Sequence, residues 1–373
     1  MVYQYTRFQK GKPMKRSNLM VGLLSVLVVF AVAAAFKVAY NVVLPLMIAW
    51  LLSYICGPVV NYLVHKKVPL GLAVFAVLVL VLFVCYFFGI FLSGRVSDVL
   101  AQSPKYVTQL NTIYRDAVSN LDLPEDYLAG FNWTEKLGPK LASLSASVAI
   151  YMGNFLGKLL LVLIFLVFML LGKPYFKYKV ERAFPPDRAK TFSTMTASIS
   201  KQIGQYLVVK VAISGTTGVL VWLALTLLKV EFALTWGALA FFLNFIPSIG
   251  SILASIPPIL LSVVQYYPST PQAGSWMLIP ILTAVVLLLI QMTMGNVIEP
   301  KIMGDHLNLS PVVILLSLVF FGWMWGIVGA LLSVPIAAAI KIFCENIEAL
   351  KPISILMGSG KSFMKETHES HGK

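Results

Sequence analysis

The stretch from 232 to 264 reads FALTWGALAFFLNFIPSIGSILASIPPILLSVV and contains no charged residue. As one straight helix it would be about 50 Å long, whereas a bilayer core is about 30 Å thick. The run from Asn244 to Gly250 includes Pro247, which removes a helical hydrogen bond. Non-helical backbone at membrane depth persists only when protein or a water-filled cavity surrounds it. We therefore predict a broken or re-entrant helical hairpin over 232–264.

A second apolar stretch, 311–343, is interrupted by GWMWGIVG at 322–329. A Phe-Phe pair precedes Gly250 in the first stretch and Gly329 in the second at the same distance, and the residues after both glycines are similar. Interrupted helices in corresponding positions are how secondary transporters build a central site. Whether the two stretches form a genuine inverted repeat stays open at this point.

The composition of the whole chain agrees with a membrane location. The 373 residues are 58% hydrophobic and only 12% charged, whereas soluble domains carry about 25% charged residues. Apolar runs long enough to cross a bilayer as helices recur from Leu19 to Phe343. We predict an all-α polytopic membrane protein with about eight membrane segments, two of them broken or re-entrant hairpins.

Charge predicts the topology. The linker after span four carries seven basic residues and two acidic ones over 173–201, and the N-terminal tail is also basic, so the positive-inside rule places both in the cytoplasm, with the spans in the inner membrane. Only Lys37 separates spans one and two, which predicts a tight hairpin. We divide the chain into a tail with spans one to three (1–93), an extracytoplasmic helical segment (94–147), span four with the linker (148–202), a transport core (203–343) and a polar cytoplasmic tail (344–373).

Several function classes are disfavoured. The formal net charge is +14, but the basic residues sit between apolar runs, so we expect no nucleic-acid partner. The sequence contains no phosphate-binding loop and no hydrolase or metalloprotease motif. Three separated cysteines and four histidines offer little for a metal or cofactor site. We expect a protein that is not an enzyme, has no cofactor, and moves a small polar solute or ion by using a gradient.

The candidate path residues cluster where polar side chains interrupt apolar helices. Glu299 could take a proton or pair with Lys301, or belong to a solvated turn. Lys210 either snorkels to the near interface or faces protein or water. The amides could bind a polar solute or satisfy freed backbone groups. The predicted substrate or ion path comprises Asn244, Pro247, Gly250, Gln291, Asn296, Glu299, Pro300, Lys301, Gly304, Asp305 and Lys210.

The runs FIPSIG (245–250), GNVIEPKIMG (295–304) and LSVP (332–335) resemble the hallmark runs of the autoinducer-2 exporter family. The resemblance implies about eight membrane segments, cytoplasmic termini, no ATPase and a homo-oligomer, suggested to be a pentamer. Members of this family are associated with export of the quorum-sensing signal autoinducer-2, and others with sodium/proton exchange or sporulation, and we expect autoinducer-2 export for this chain.

Two alternatives stay open beside this resemblance. A sodium/proton antiporter would need Glu299 or Asp305 to titrate, and a scaffold that does not transport would need neither. We also expect 244–250, 295–304 and 322–329 to converge on one translocation path.

Overall fold

The computed structural model describes residues 16–120, 133–247, 249–268, 276–303 and 307–360. The described residues include a π-helical turn, Thr293–Ile298, and a 3-10 turn, Glu348–Leu350. The helices are α1 (Arg16–Val38), α2 (Tyr40–His65), α3 (Leu70–Asn120), α4 (Trp133–Ala183), α5 (Pro186–Leu227), α6 (Ala233–Leu243), α7 (Ile249–Tyr266), α8 (Leu278–Met292), α9 (Glu299–Met303), α10 (Pro311–Glu345) and α11 (Lys351–Met357).

Within the described ranges, seven helices are long and apolar enough to cross a membrane, and α6 is a shorter apolar helix. Large hydrophobic side chains cover their outward faces: Phe75 and Phe168 are 63% and 72% exposed. Water does not tolerate so much contiguous apolar surface, whereas lipid does. The chain is therefore an all-α multi-pass membrane protein, as the composition predicted.

Two helices extend far beyond the bilayer. The helices α3 and α4 have 51 residues each, which corresponds to about 75 Å. We call residues 95–120 of α3 the stalk. We call the end of the bundle from which the stalk projects the stalk end. The opposite end, where α4 is followed by α5, is the linker end. The predicted extracytoplasmic segment is thus helical where it is described, and residues 121–132 lie outside the described residues.

The stalk contacts the turns at the stalk end of the transport core. Lys105 Nζ lies 2.8 Å from Glu231 Oε1, and the Tyr106 hydroxyl donates to the other carboxylate oxygen. Gln109 Nε2 donates to the Tyr267 carbonyl oxygen at 2.8 Å. These bonds join α3 to the α5–α6 turn and to the end of α7, so movement of either turn has to break stalk contacts.

The Tyr267 phenol makes a further contact with the stalk, to Asp116, and this contact is sensitive to alkaline pH. Burial and a hydrogen bond at 2.9 Å to Asp116 Oδ2 raise the pKa of the Tyr267 phenol above its usual value. The neutral phenol is therefore favoured in the folded protein, and its contribution is fully present below a pH of about 10 and is lost as the pH rises through the raised pKa. We expect the difference in Tm between wild type and Tyr267→Phe to be constant below this pH and to shrink above it.

Thermal unfolding in detergent as a function of pH measures this difference, and Tyr178→Phe, an exposed tyrosine of α4, is the control. A difference that stays constant across the alkaline range would show that the phenol does not titrate against Asp116.

The junction of α1 and α2 differs from the prediction. Only Ala39 separates the helices, with φ −83° and ψ 17°, and the Val43 N–H still donates to its carbonyl oxygen at 3.0 Å. One residue in this conformation bends the chain without reversing it. The predicted tight hairpin is wrong. The end of α1 contacts α10 instead, where Trp325 Nε1 lies 3.4 Å from the Phe36 carbonyl oxygen.

The helices α6 and α7 form the first hairpin. The chain leaves α6 at Asn244 and re-enters helix at Ile249, with Ser248 outside the described residues. Both open ends lie at the stalk end, since Gln265 Nε2 near the end of α7 donates to the Lys229 carbonyl oxygen at 2.9 Å. The break predicted within 232–264 is therefore confirmed, and its tip points into the bundle.

The helix α10 forms the second hairpin. Its backbone is non-helical at Trp325 and at Gly326, whose φ of 67° and ψ of −147° favour glycine. A methyl group on Gly322 would lie 3.7 Å from the Ala330 side chain. In a straight helix residues eight apart are about 12 Å apart along the axis. The two arms therefore lie side by side, and the break predicted within 322–329 is confirmed.

The second hairpin opens at the linker end. Leu309, just before its first arm, packs in one cluster with Ala338 of the second arm and with Ile203, in the half of α5 nearer the linker end, so both ends lie together there. The hairpins thus enter the bundle from opposite ends. A methyl group on Gly250 would overlap the Leu243 carbonyl oxygen, and one on Gly329 would overlap that of Phe321. The sequences around Gly250 and Gly329 are similar for one physical reason. In each hairpin the backbone of one arm approaches the end of the other arm too closely for a side chain larger than that of glycine.

Candidate functional site

A polar stripe runs along the buried face of α5. Tyr206, Lys210, Ser214 and Thr217 follow one another at helical spacing and are all buried. Lys210 is only 2% exposed and lies about 10 Å along the helix from Ile203, where the apolar part of α5 begins. An ammonium group at this depth requires a partner, because burial without one is costly.

That partner is Glu299, the first residue of α9. Lys210 Nζ lies 2.5 Å from Glu299 Oε1, and the Glu299 side chain is 23% exposed. Snorkelling of Lys210 is therefore wrong, and its alternative, that the side chain faces protein, is confirmed. Of the alternatives for Glu299, the pairing with Lys301 is not the one observed, because the carboxylate pairs with Lys210 and Lys301 is exposed. The sequence did not indicate the true partner, since the two residues are 89 positions apart.

The ion pair forms part of the wall of a cavity of about 530 Å³ between the first hairpin and α8. One side of the lining comes from the tip and first turns of α7, and the other from the end of α8 and the π-helical turn. Both polar and aliphatic groups line it. The lining residues are Lys210, Asn244, Ile246, Pro247, Ser251, Ile252, Ser255, Ile256, Ile259, Leu288, Gln291, Met292, Gly295, Asn296, Glu299 and Pro300.

The π-helical turn Thr293–Ile298 orients the amides of this wall. Pro300 has no N–H to donate, which removes one α-helical bond from the turn before it. In a regular helix Gln291 and Asn296 would be about 140° apart around the axis. A π turn, with bonds from i to i+5, reduces this angle. Both amides and Glu299 can therefore line one cavity.

The structure brings most of the predicted path residues together and leaves others elsewhere. Gly250 packs against the Leu243 carbonyl oxygen behind the tip, and Lys301 does not line the cavity. Gly304 and Asp305 lie outside the described residues. Those that line the cavity are Lys210, Asn244, Pro247, Gln291, Asn296, Glu299 and Pro300.

The segment 322–329 does not join this cavity. Its Met324 and Trp325 pack with Leu44 of α2 and with Ile336 of the second arm. The expected convergence of three segments is therefore wrong for this one, because the second hairpin enters from the opposite end and its tip reaches a different part of the bundle.

Sequence reasoning missed three hydroxyl groups of the site. Asn244 Nδ2 donates to Ser214 Oγ at 3.1 Å, which holds the tip of the first hairpin against α5. Ser251 and Ser255 line the cavity from α7. For Ser214 the sequence did contain a signal, which is its spacing: Ser214 follows Lys210 by one helical turn and therefore lies on the same face of the helix.

A model of AI-2E family transporters matches residues 24–349, which include every residue of this cavity. The chain belongs to the AI-2E transporter family. The resemblance of the sequence runs to this family is confirmed.

Three relatives match this chain over nearly its full length. The AI-2 transport protein TqsA of Escherichia coli strain K12 is 31% identical over 349 residues, covering 91% of this chain and 94% of TqsA. A candidate transport protein of Borreliella burgdorferi is 33% identical over 345 residues, covering 92% of each chain. One from Haemophilus influenzae is 31% identical over 360 residues, covering 93% of this chain and 98% of the relative.

These findings make the chain a membrane transporter of the AI-2E family. Its cavity contains amide and hydroxyl groups that both donate and accept hydrogen bonds, and one ion pair. Such groups can replace the hydration shell of a polar solute inside the membrane. Aliphatic side chains, among them Ile252, Ile256 and Leu288, line the cavity beside them.

Proposed function

We propose that this AI-2E transporter exports a small polar solute, the quorum-sensing signal AI-2, through the cavity between the first hairpin and α8, without ATP hydrolysis. The observation that carries the proposal is the position of this cavity at the broken tip of a re-entrant hairpin. Interrupted helices at such positions form the substrate sites of secondary transporters.

The chemistry of the cavity supports a hydroxylated solute. Its volume of about 530 Å³ is within the range of about 300–1,000 Å³ typical of small-molecule sites. Gln291 and Asn296 each offer amide donors and an acceptor to hydroxyl groups. Glu299 offers a carboxylate oxygen on the same wall. A neutral solute with several hydroxyl groups would satisfy these side chains without adding charge to the membrane interior.

The two hairpins support alternating access. They enter from opposite ends, and the tip of the first hairpin lines the cavity, so movement of this hairpin can open the path toward one side. The stalk contacts of Glu231 hold the open end of the first hairpin, and the Trp325 indole holds the tip of the second against α1. In this proposal, movement of the first hairpin exposes the cavity to the stalk end.

The specific substrate and the orientation are also proposals. AI-2 is suggested by the name of TqsA, which is 31% identical to this chain. The exposed basic residues at the linker end, among them Lys177 and Arg182, favour a cytoplasmic location in the inner membrane for that end and for Met357, which bonds to the open end of the second hairpin. Assembly as a homo-oligomer, suggested to be a pentamer, rests on the family resemblance.

The test is solute flux in sealed liposomes that contain the purified protein. Labelled AI-2 and internal pH are followed in parallel, with and without a sodium gradient. We expect AI-2 to cross with wild type, and Asn296→Ala and Gln291→Ala to slow the flux about tenfold each, as expected when a buried hydrogen bond worth about 1.4 kcal/mol is lost.

Thr293→Ala is the matched control, because Thr293 belongs to the same π-helical turn and does not line the cavity. Equal loss in all three variants would show that the turn matters and the cavity does not. Sodium-dependent pH change without AI-2 flux would make the protein an antiporter, and absence of both would leave a scaffold as the better account.

A further inference from the structure

The end of α4 and the start of α5 form a basic helical hairpin at the linker end, over residues 173–194. Its first part, 173–190, carries six basic and two acidic residues, and all six basic residues are exposed. Basic clusters beside a membrane span, and basic pockets between spans, are where anionic lipid headgroups bind. The positive-inside rule accounts for such charge in general, but it requires no pocket.

The basic hairpin does contain a pocket. A cavity of about 510 Å³ lies between its two helices, which is within the range of about 300–1,000 Å³ typical of small-molecule sites. The residue types in its lining are two lysines, one glutamate, two hydroxyl residues, an alanine and a proline. They are Lys177 and Glu181 of α4 with Pro186, Ala189, Lys190, Ser193 and Thr194 of α5.

The polar groups of this basic cavity suit an anion. Two lysines and one glutamate give the lining a net charge of +1. Lys177 Nζ lies 3.8 Å from Glu181 Oε1 and its side chain is 68% exposed, so this pair is weak and Lys177 can turn to another anion. Thr194 Oγ1 donates to the Lys190 carbonyl oxygen at 2.9 Å, whereas the hydroxyl of the half-buried Ser193 can donate to a ligand.

The basic cavity lies at the depth of lipid headgroups. Lys177 is about 8 Å along α4 beyond Gly172, where the apolar run of this helix ends, and the headgroup region on each side of a bilayer is about 5–8 Å thick. Tyr175 and Tyr178 are 60% and 69% exposed, and tyrosine is enriched at this interface. A lipid phosphate at this level leaves its acyl chains beside the exposed apolar face of α4, which includes Phe168.

We propose that the basic cavity binds the phosphate headgroup of an anionic phospholipid, with Lys177, Lys190 and Ser193 as its contacts. The acyl chains follow α4 into the bilayer, and the bound lipid bridges α4 and α5 at the linker end. The proposal does not rest on the proposed function, because it involves neither AI-2 nor the cavity at the first hairpin.

The experiment measures lipid binding by the full-length protein in a neutral detergent. Short-chain phosphatidylglycerol is added, and short-chain phosphatidylcholine, which has no net charge, is the reference at the same concentration. The dependence of Tm on lipid concentration gives an apparent Kd, because a ligand that binds only the folded state stabilises it. We expect phosphatidylglycerol alone to raise Tm, and about 0.5 M sodium chloride to weaken this effect.

Inorganic phosphate tests the other source of the same chemistry. It should leave Tm unchanged at the concentrations at which phosphatidylglycerol saturates the site, because it has no acyl chains to hold it beside α4. A rise in Tm with inorganic phosphate equal to that with phosphatidylglycerol would assign the cavity to a soluble phosphate and would overturn the proposal.

Variants separate the cavity from the basic surface around it. Lys190→Gln should weaken phosphatidylglycerol binding about fivefold, which corresponds to about 1 kcal/mol for one basic residue at a lipid surface. Glu181→Gln should strengthen binding by about the same factor, because it removes the carboxylate of the lining. Ser193→Ala should weaken binding about threefold without any change of charge. Lys179→Gln is the matched control, because Lys179 is exposed on the same part of α4 but does not line the cavity.

The control should leave the apparent Kd unchanged. Equal weakening by Lys179→Gln and Lys190→Gln would overturn the proposal, because the whole basic surface would then attract the lipid. An unchanged Kd in Ser193→Ala would also contradict a headgroup seated in the cavity. The substituted side chains are exposed or half-buried, so these variants should fold. Because no solute is present, failure here is separate from failure of AI-2 flux in liposomes.

Discussion

Glu299→Gln is expected to lower the free energy of unfolding by about 3–5 kcal/mol, because it leaves the Lys210 ammonium buried without a counterion. Lys210 is 2% exposed and its ion-pair partner among the described residues is Glu299. The variant should also fail in transport, since the same carboxylate lines the cavity. Unfolding in denaturant or by heat, in detergent and at constant pH, measures the change.

A double-mutant cycle separates stability from function. Lys210→Met combined with Glu299→Gln removes both charges, so we expect most of the lost stability to return, because neutral pairs of similar volume are tolerated in place of buried ion pairs. Transport should not return with it. Recovery of both would show that the pair is structural only.

Glu181→Gln is the control for the general effect of removing a paired carboxylate. Glu181 lies 3.8 Å from Lys177 on the surface of α4, with both side chains exposed. Exposed pairs of this kind contribute less than about 1 kcal/mol. A loss in Glu299→Gln no larger than in Glu181→Gln would contradict the buried position of Lys210.

Gly250→Ala is expected to destabilise the first hairpin and to abolish transport. Its methyl group would overlap the Leu243 carbonyl oxygen, which belongs to the backbone of the opposite arm and has no rotamer to change. The arms of the first hairpin must then separate, at a cost of about 1–3 kcal/mol for overpacking or more. Separation also displaces Asn244, so transport should be lost even where the protein folds. Purification yield, Tm and AI-2 flux are the readouts.

Gly329→Ala should behave in the same way, because its methyl group would overlap the Phe321 carbonyl oxygen in the second hairpin. Gly215→Ala is the control, since no atom lies within 4 Å of the added methyl group on α5. That change should leave Tm unchanged or raise stability by up to about 1 kcal/mol, because alanine is the better helix former. Tolerance of alanine at Gly250 would mean that the two arms do not pack this closely.

Bilayer thickness and the cost of polar groups among apolar helices explain which features of the fold and of the site could be predicted from the sequence. An apolar stretch of the length of 232–264 cannot cross the bilayer as one straight helix, so a break was required, and Pro247 together with Gly250 indicated its position. The same argument located the break at 322–329. Asn244, Gln291, Asn296 and Glu299 were recognisable as path candidates because polar groups are costly among apolar helices and need a reason to be there.

Other features depended on contacts that local pattern does not encode. Spacing showed that Lys210 and Ser214 share a helical face, but not which element covers that face. Lys301 was the nearer basic residue to Glu299 in sequence, yet it is exposed. The single bent residue Ala39 shows the same limit, because a short polar interruption between apolar runs is compatible with either a hairpin or a bend.

The sequence by itself determined that this chain is a helical membrane protein with two interrupted segments, because bilayer thickness and the cost of unsatisfied backbone groups act on each segment separately. Only the tertiary structure decided that Lys210 pairs with Glu299, that the first hairpin and not the second lines the cavity with α8, and that the hairpins enter from opposite ends. Each of these follows from the packing of helices distant in sequence, and apolar helices of similar composition can pack in many arrangements until specific contacts, here the ion pair and the Asn244–Ser214 bond, select one.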